Sequence, residues 1–261
     1  MNLFITAGIG SEDLLQAAER LKRQIDELKI FDTSIVVTER DLAEIAPWIF
    51  TWYSAEELKT NRGYGFYAWK PAIAKAATDG FWGDADVICY LDAGCEILPG
   101  HRSKRIIKNA IKKSKKFGVV GFSSFTPEWK FTKTKVLGLF PDSQGAQLTS
   151  QFQSGTWFLS GTVGAFIANE WNEICSASPE ITNDEISVEA PGFVAHRHDQ
   201  SVFSMVLKRH AIEPESLPTP HPNRRFIPNL AALRSPIWAA RNRSGDTIIP
   251  RHVRMIARLL P

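Results

Sequence analysis

The stretch Asp86-Val87-Ile88-Cys89-Tyr90-Leu91-Asp92-Ala93-Gly94-Cys95-Glu96 constrains the chain more than any other. An apolar run carries an aspartate into a turn of small residues. The pattern predicts a buried strand with a carboxylate at its C-terminal edge. In open α/β sheets that edge is where ligands bind. A carboxylate there suits a hard cation bound to phosphate. The plainer alternative is an aspartate that ends a strand in a turn.

Around it, the chain alternates short apolar runs with amphipathic ones. Leu3-Phe4-Ile5-Thr6-Ala7 reads as a buried strand closed by Gly8 and Gly10. Ser11 is a good N-cap with Glu12 and Asp13 behind it, and Leu14, Ala18, Leu21, Ile25 and Leu28 keep helical spacing. Residues 33–37 predict a second strand. Strand–helix–strand–helix implies parallel pairing through crossovers. Further on, Pro71 opens a helix to about Thr78, residues 101–116 form a lysine-rich helix, and residues 117–123 a buried strand. Helices follow over 163–176 and 200–210. Between Thr126 and Gly161 the periodicity weakens, which suggests a substrate-facing insert. From about residue 214 an Arg- and Pro-rich tail wraps the domain and ends in a short basic helix. No linker divides the chain, so residues 1–261 are expected to form one domain.

Hydrophobic residues make up 44% of the 261, enough for a large core, so the chain is not disordered. The net charge of +3 names no partner, but it is unevenly spread. Arg102 to Lys116 holds eight Lys or Arg and no acid; Arg224 to Pro261 holds eight Arg against Asp246 alone. Such blocks suit phosphates, nucleic acid or an anionic membrane. The lysine-rich helix lacks interleaved aromatics, which speaks against nucleic acid. Cys89, Cys95 and Cys175 make no CxxC and fit a reducing compartment. With no leader-like N-terminus and no apolar run of about 18 residues, a cytoplasmic protein is expected, peripheral to a membrane at most.

Three further strings carry polar chemistry. Arg62 to Pro71 joins glycines that allow close backbone approach to Arg62 and Lys70, just before a helix N-terminus that favours anions. An aromatic loop packed on the core is the competing reading. His196-Arg197-His198-Asp199-Gln200-Ser201 places four ionisable residues in a row, His196 to Asp199, just before a helix, where Asp199 could also be a plain N-cap. A metal-dependent hydrolase would need more histidines at set spacings than this string offers. His221-Pro222-Asn223-Arg224-Arg225 offers a histidine ligand and phosphate-gripping arginines, or simply a surface loop. No P-loop, G-x-S-x-G or G-x-G-x-x-G is present.

In order along the chain, Gly65-Phe66-Tyr67-Ala68-Trp69-Lys70-Pro71, Tyr90 to Glu96, Phe131-Thr132-Lys133 and His196 to Ser201 resemble the GT-A-type glycosyltransferases, the nucleotide-diphospho-sugar transferases, in particular small bacterial enzymes of surface polysaccharide synthesis. The layout is also similar to the glycogenin-like retaining transferases. The resemblance spans about Leu3 to Ile212 and departs where Gly94 stands in place of the second acid of Asp-x-Asp; Glu96 is the nearest substitute.

The resemblance implies a Rossmann-like α/β fold with a mixed, mainly parallel sheet flanked by helices. It implies transfer of a sugar, hexosyl-like, from a nucleotide-sugar donor to a saccharide or lipid-linked saccharide. Thr6, Ala7 and Gly8 would cradle the nucleoside; Arg62, Lys70, Asp92, Ala93 and Gly94 would contact the donor. Asp199 and Gln200 would face the reacting carbon as catalytic groups. Trp157, Ser160, Gly161 and His198 would shape the acceptor site. Asp92 and His221 would hold Mn2+ or Mg2+. The competing reading is a non-catalytic nucleotide-sugar or glycan binder on the same fold. A nucleotidyltransferase would need a better phosphate loop than Gly8-Ile9-Gly10.

Overall fold

The structure, a computed structural model, describes residues 1–143, 145–215 and 235–259. Its elements run β1 (Asn2–Ala7), α1 (Glu12–Leu28), β2 (Thr33–Val37), α2 (Glu39–Ile45), α3 (Ile49–Trp52), α4 (Ala55–Thr60), an irregular turn α5 (Gly63–Phe66) and α6 (Lys70–Thr78). They continue with β3 (Val87–Leu91), β4 (Glu96–Ile97), α7 (His101–Phe117), β5 (Val119–Pro127), α8 (Glu128–Phe131), α9 (Thr134–Leu137), β6 (Ser150–Ser160), α10 (Gly161–Ser176), α11 (His198–Arg209), β7 (Ile237–Trp238) and α12 (Arg251–Leu259).

Five strands form one sheet in the order β2-β1-β3-β6-β5. The pairings β1–β2 and β1–β3 are parallel, while β3–β6 and β6–β5 are antiparallel. β6 alone runs against the other four strands, so the sheet is mixed and mainly parallel, as the sequence leads one to expect. The strand the sequence does not predict is β6 itself. Residues 150–160 were expected within an insert, yet they form the central strand that joins β3 to β5. Both faces of β6 are largely buried, so it lacks the polar–apolar alternation of a half-exposed strand.

Period-two alternation sends side chains to two cores. Leu3, Ile5, Tyr90, Trp157 and Leu159 pack on one face with Trp171 and Phe203 from α10 and α11. Phe4, Cys89, Leu91, Phe122 and Phe158 pack on the other with Leu21 and Ile25 of α1 and Ile107 and Ile111 of α7. Trp157 is fully buried, with Tyr90 stacked on it at 5.1 Å. Removing such a ring costs about 3–5 kcal/mol.

A second ribbon, β4 paired antiparallel with β7, ties the tail to the turn after Asp92. Leu98, Trp238, Ile249, Val253 and Ala257 form its own small core. Residues 235–259 of the tail thus belong to the folded body. Among the described residues, no helix is long and apolar enough to cross a membrane.

Candidate active site at the C-terminal edge of β1 and β3

Parallel strands β1 and β3 end side by side, and a cleft of about 640 Å³ opens at that edge. Ala7, the turn Asp92–Cys95, the start of α6, the start of α11 and Ser154–Thr156 of β6 line it, with Ala239, Arg241 and Arg243 from the tail.

Three elements bring three charges together at its floor. Lys70 opens α6, Asp92 follows β3 and Asp199 lies in the first turn of α11. The Lys70 ammonium is 3.0 Å from Asp92 Oδ1 and 3.5 Å from Asp199 Oδ2. Tyr90 donates its hydroxyl to Asp92 Oδ1 at 3.1 Å. Gly155 leaves room for this carboxylate: a Cβ there would stand 2.5 Å from Asp92 Oδ2. Burial lowers the Lys70 pKa, but Asp199 and Asp92 outweigh this and raise it above the usual lysine value. Burial pushes the Asp199 carboxyl up to about 6 against the pull of Lys70. Asp199 is thus close to its titration point near neutrality, as acid–base groups in sites often are.

The rim is cationic. Lys59, Arg62, Arg197, Arg241 and Arg243 line it with no acid besides Asp92 and Asp199. Among the described residues, no carboxylate stands within ion-pairing distance of Arg62, Arg241 or Arg243. Burial, then the neighbouring Arg241 and Arg62 guanidiniums, press the pKa of Arg197 below its usual value. Uncompensated guanidiniums facing one cleft make an anion site.

Two backbone features shape the wall. Tyr64, Gly65, Phe66 and Tyr67 all have positive φ, between 56° and 85°. A left-handed conformation costs a non-glycine residue about 1–2 kcal/mol. The strain places Tyr64 and Tyr67 in the cleft wall. His198 shares it, at φ 52°. Its Nδ1 donates to the Thr182 carbonyl at 2.7 Å, and Phe66 and Tyr67 flank the ring. Burial holds its pKa low, so the imidazole is neutral.

Gln200 lies beside Asp199. Its amide donates to Gln151 Oε1 at 2.9 Å, and Gln151 in turn donates to the buried Glu128 at 2.8 Å. Lys208 pairs with the other oxygen of Glu128 at 2.5 Å. A buried polar chain therefore fixes the amide from behind.

Of the residues singled out in the sequence, Ala7, Arg62, Lys70, Asp92, Ala93, Gly94, His198, Asp199 and Gln200 meet in this cleft. Thr6 and Gly8 do not. Thr6 is fully buried in β1, and Gly8 packs on α1, where a Cβ would come within 2.6 Å of Leu15 Cα. Trp157, Ser160 and Gly161 are also corrected. Because β6 runs antiparallel to β3, its C-terminal end lies at the opposite edge of the sheet. There Ser160 donates to the Asp86 carbonyl, Gly161 begins α10, and Trp157 is core. His221, Arg224 and Arg225 lie outside the described residues.

Glu96 is not a substitute for the absent aspartate. It is fully buried and accepts from Asn242 Nδ2 at 2.7 Å, from the Thr247 hydroxyl, and from the Ile248 N–H at 3.0 Å. Arg20, also buried, donates to the carbonyls of Ala93, Cys95 and Ser244 at 2.9, 2.8 and 2.6 Å. Together they clamp the tail over the Asp92 turn. Sequence reasoning missed the tail's share of the cleft. The one available signal was its arginine excess.

The described residues contain no group of three or more His, Cys, Asp or Glu able to hold a metal ion. Asp92 and Asp199 already share an ammonium, and position 94 offers no side chain.

No family model and no curated protein sequence matches the chain. Among solved structures, mouse xyloside xylosyltransferase 1 in its apo form is similar at 10% identity and a TM-score of 0.41, over 83% of this chain and 85% of that one.

Proposed function

We propose that the protein is a glycosyltransferase that takes a sugar from a nucleotide-diphospho-sugar and passes it to a saccharide or lipid-linked saccharide, in surface polysaccharide synthesis. One observation carries this reading: Asp92, Lys70 and Asp199 converge at the strand edge of an arginine-rimmed cleft. The rim suits a diphosphate, and the buried acid–amide pair Asp199-Gln200 suits the sugar.

In this reading Lys70 and the arginines hold the diphosphate and stabilise charge as the sugar–phosphate bond breaks. The bond to the acceptor oxygen forms at the same carbon. Asp199 is 2% exposed and paired with Lys70, which leaves it poorly placed to receive the acceptor proton. The leaving phosphate takes that proton, as in a retaining transfer. Asp199 and Gln200 then orient the sugar hydroxyls. Neutral His198 and the Tyr64–Tyr67 wall supply the acceptor side.

The tail shares the cleft with β1 and β3, which supports a single domain over 1–261. The three cysteines are unpaired, which suits the cytoplasm. Helices α7 and α12 pack against each other; α12 exposes Met255, Ile256 and Leu259 beside its arginines. That surface suits the inner face of an anionic membrane.

The test is a thermal-shift screen of nucleotide sugars, followed by donor hydrolysis and transfer assays. A bound donor raises the melting temperature by mass action. Turnover lost in Asp199→Asn while binding persists supports transfer. Binding with no turnover of any donor favours the non-catalytic binder instead.

A further inference from the structure

Position 94 explains its own glycine. A Cβ there would stand 3.2 Å from Arg241 Cα and 3.5 Å from its carbonyl carbon. The Asn242 N–H donates to the Gly94 carbonyl at 3.1 Å. The tail is pressed onto the turn, so a side chain at 94 would crowd main chain, which would have to give by a few tenths of an ångström, rather than a movable side chain. The segment that takes this space carries two guanidiniums into the cleft, Arg241 and Arg243. It is fastened by buried groups on both sides, Glu96 to Asn242 and Arg20 to the carbonyls of Asn242 and Ser244.

We infer that the cleft grips the diphosphate of its ligand with Arg241, Arg197, Arg62 and Lys70 instead of a divalent cation, the tail having replaced the second acid of the turn. This rests on the nucleotide-diphospho-sugar reading of the same cleft and goes further, to how the charge is met. A diphosphate needs several positive charges within reach. A carboxylate pair would gather them as a metal ion; here they are covalent. The buried ammonium occupies the space between the acids, and three guanidiniums crowd one rim despite their mutual repulsion. Crowded like charges without acids are stabilised when a polyanion binds. Arginine presents planar, paired donors to phosphate oxygens, which a lysine cannot reproduce.

The test is titration calorimetry of the full-length protein with UDP, GDP, ADP, CDP and dTDP, in EDTA and then with added MnCl2 or MgCl2. At least one nucleoside diphosphate binds in EDTA, and metal changes its affinity by less than about threefold. Arg241 is exposed, so Arg241→Ala folds, and it weakens that binding about tenfold or more. Arg241→Lys recovers only part of the loss. Binding that requires the metal, or that is unchanged in Arg241→Ala, overturns the inference and leaves the transferase reading standing. If no nucleoside diphosphate binds with or without metal, the transferase reading falls, and this inference with it.

Discussion

The Lys70 ammonium stands 3.5 Å from the Asp199 carboxylate, with both side chains almost wholly withdrawn from solvent. Removing one member of such a pair leaves the other charged and unpaired, at a cost of about 3–5 kcal/mol. Lys70→Gln is therefore expected to lose stability of that order at pH 7, read by urea denaturation. The deficit shrinks as the pH falls toward 5, because Asp199 can then take up a proton.

Asp199 also sets a pH dependence of its own. Its folded pKa of about 6 lies above the ordinary value of 3.8. Between those values the folded state binds more protons than the unfolded one, so stability falls as pH rises from about 4 to 6 and is level above. The span corresponds to roughly 3 kcal/mol. Asp199→Asn removes the slope. A melting-temperature profile of the variant that keeps the wild-type slope across that window contradicts the assignment.

For turnover, Asp199→Asn is expected to lower transfer by about 10²–10³, through loss of a preorganised contact to the sugar. Nucleoside diphosphate affinity holds or rises, because a negative charge has left the site. Parallel kinetic and calorimetric measurements separate the two effects.

Glu96 lies outside the cleft wall, yet it anchors the segment that bears Arg241. Glu96→Ala strands several buried donors and is expected to cost about 3 kcal/mol or more. Limited proteolysis should then cut between residues 239 and 249, and nucleotide affinity should drop as well. Intact affinity with a loosened segment would show that the tail arginines do not contribute to binding.

Gly94→Asp restores the Asp-x-Asp string against the close main chain of Arg241. The expected outcome is a loss of about 1–3 kcal/mol from overpacking, with no gain of metal-stimulated activity. Stimulation by Mn2+ in this variant would mean that the tail yields readily.

The basic faces of α7 and α12 predict salt-sensitive flotation with vesicles containing anionic lipid. Replacing Arg251, Arg254 and Arg258 by glutamine should reduce it severalfold. Equal flotation with neutral vesicles would remove the electrostatic contact.

Much of the frame was readable because it is periodic. β1, α1, β2, β3, α7 and α11 each have one dominant buried face or a continuous apolar run, and they appear within a few residues of their predicted bounds. The meeting of Asp92, Lys70 and Asp199 was expected from the resemblance to the GT-A-type transferases rather than from periodicity, since only Asp92 directly ends a strand. β6 was not legible, because Gln151, Gln153, Ser154 and Gly155 interrupt a strand whose polar members face other polar groups in the interior. The misplacement of Trp157, Ser160 and Gly161 follows from that single miss: with no strand there, its antiparallel direction could not be known. The closing basic helix of the tail was read, as α12, but the path of the segment before it was not. Its order comes from Glu96, Arg20 and Asn242, contacts more than 100 residues apart in sequence except for Arg20 with the Asp92 turn, and local pattern carries no trace of them.

Among the described residues, the hydrogen bonds of the Arg20 guanidinium all go to main-chain oxygens, at Ala93, Cys95, Asn242 and Ser244. Such a rivet checks the path of the chain and is indifferent to most side chains along it. Positions 241 and 243 can therefore drift in identity while their scaffold stays put, which makes the rim a place where ligand preference can change without refolding the molecule.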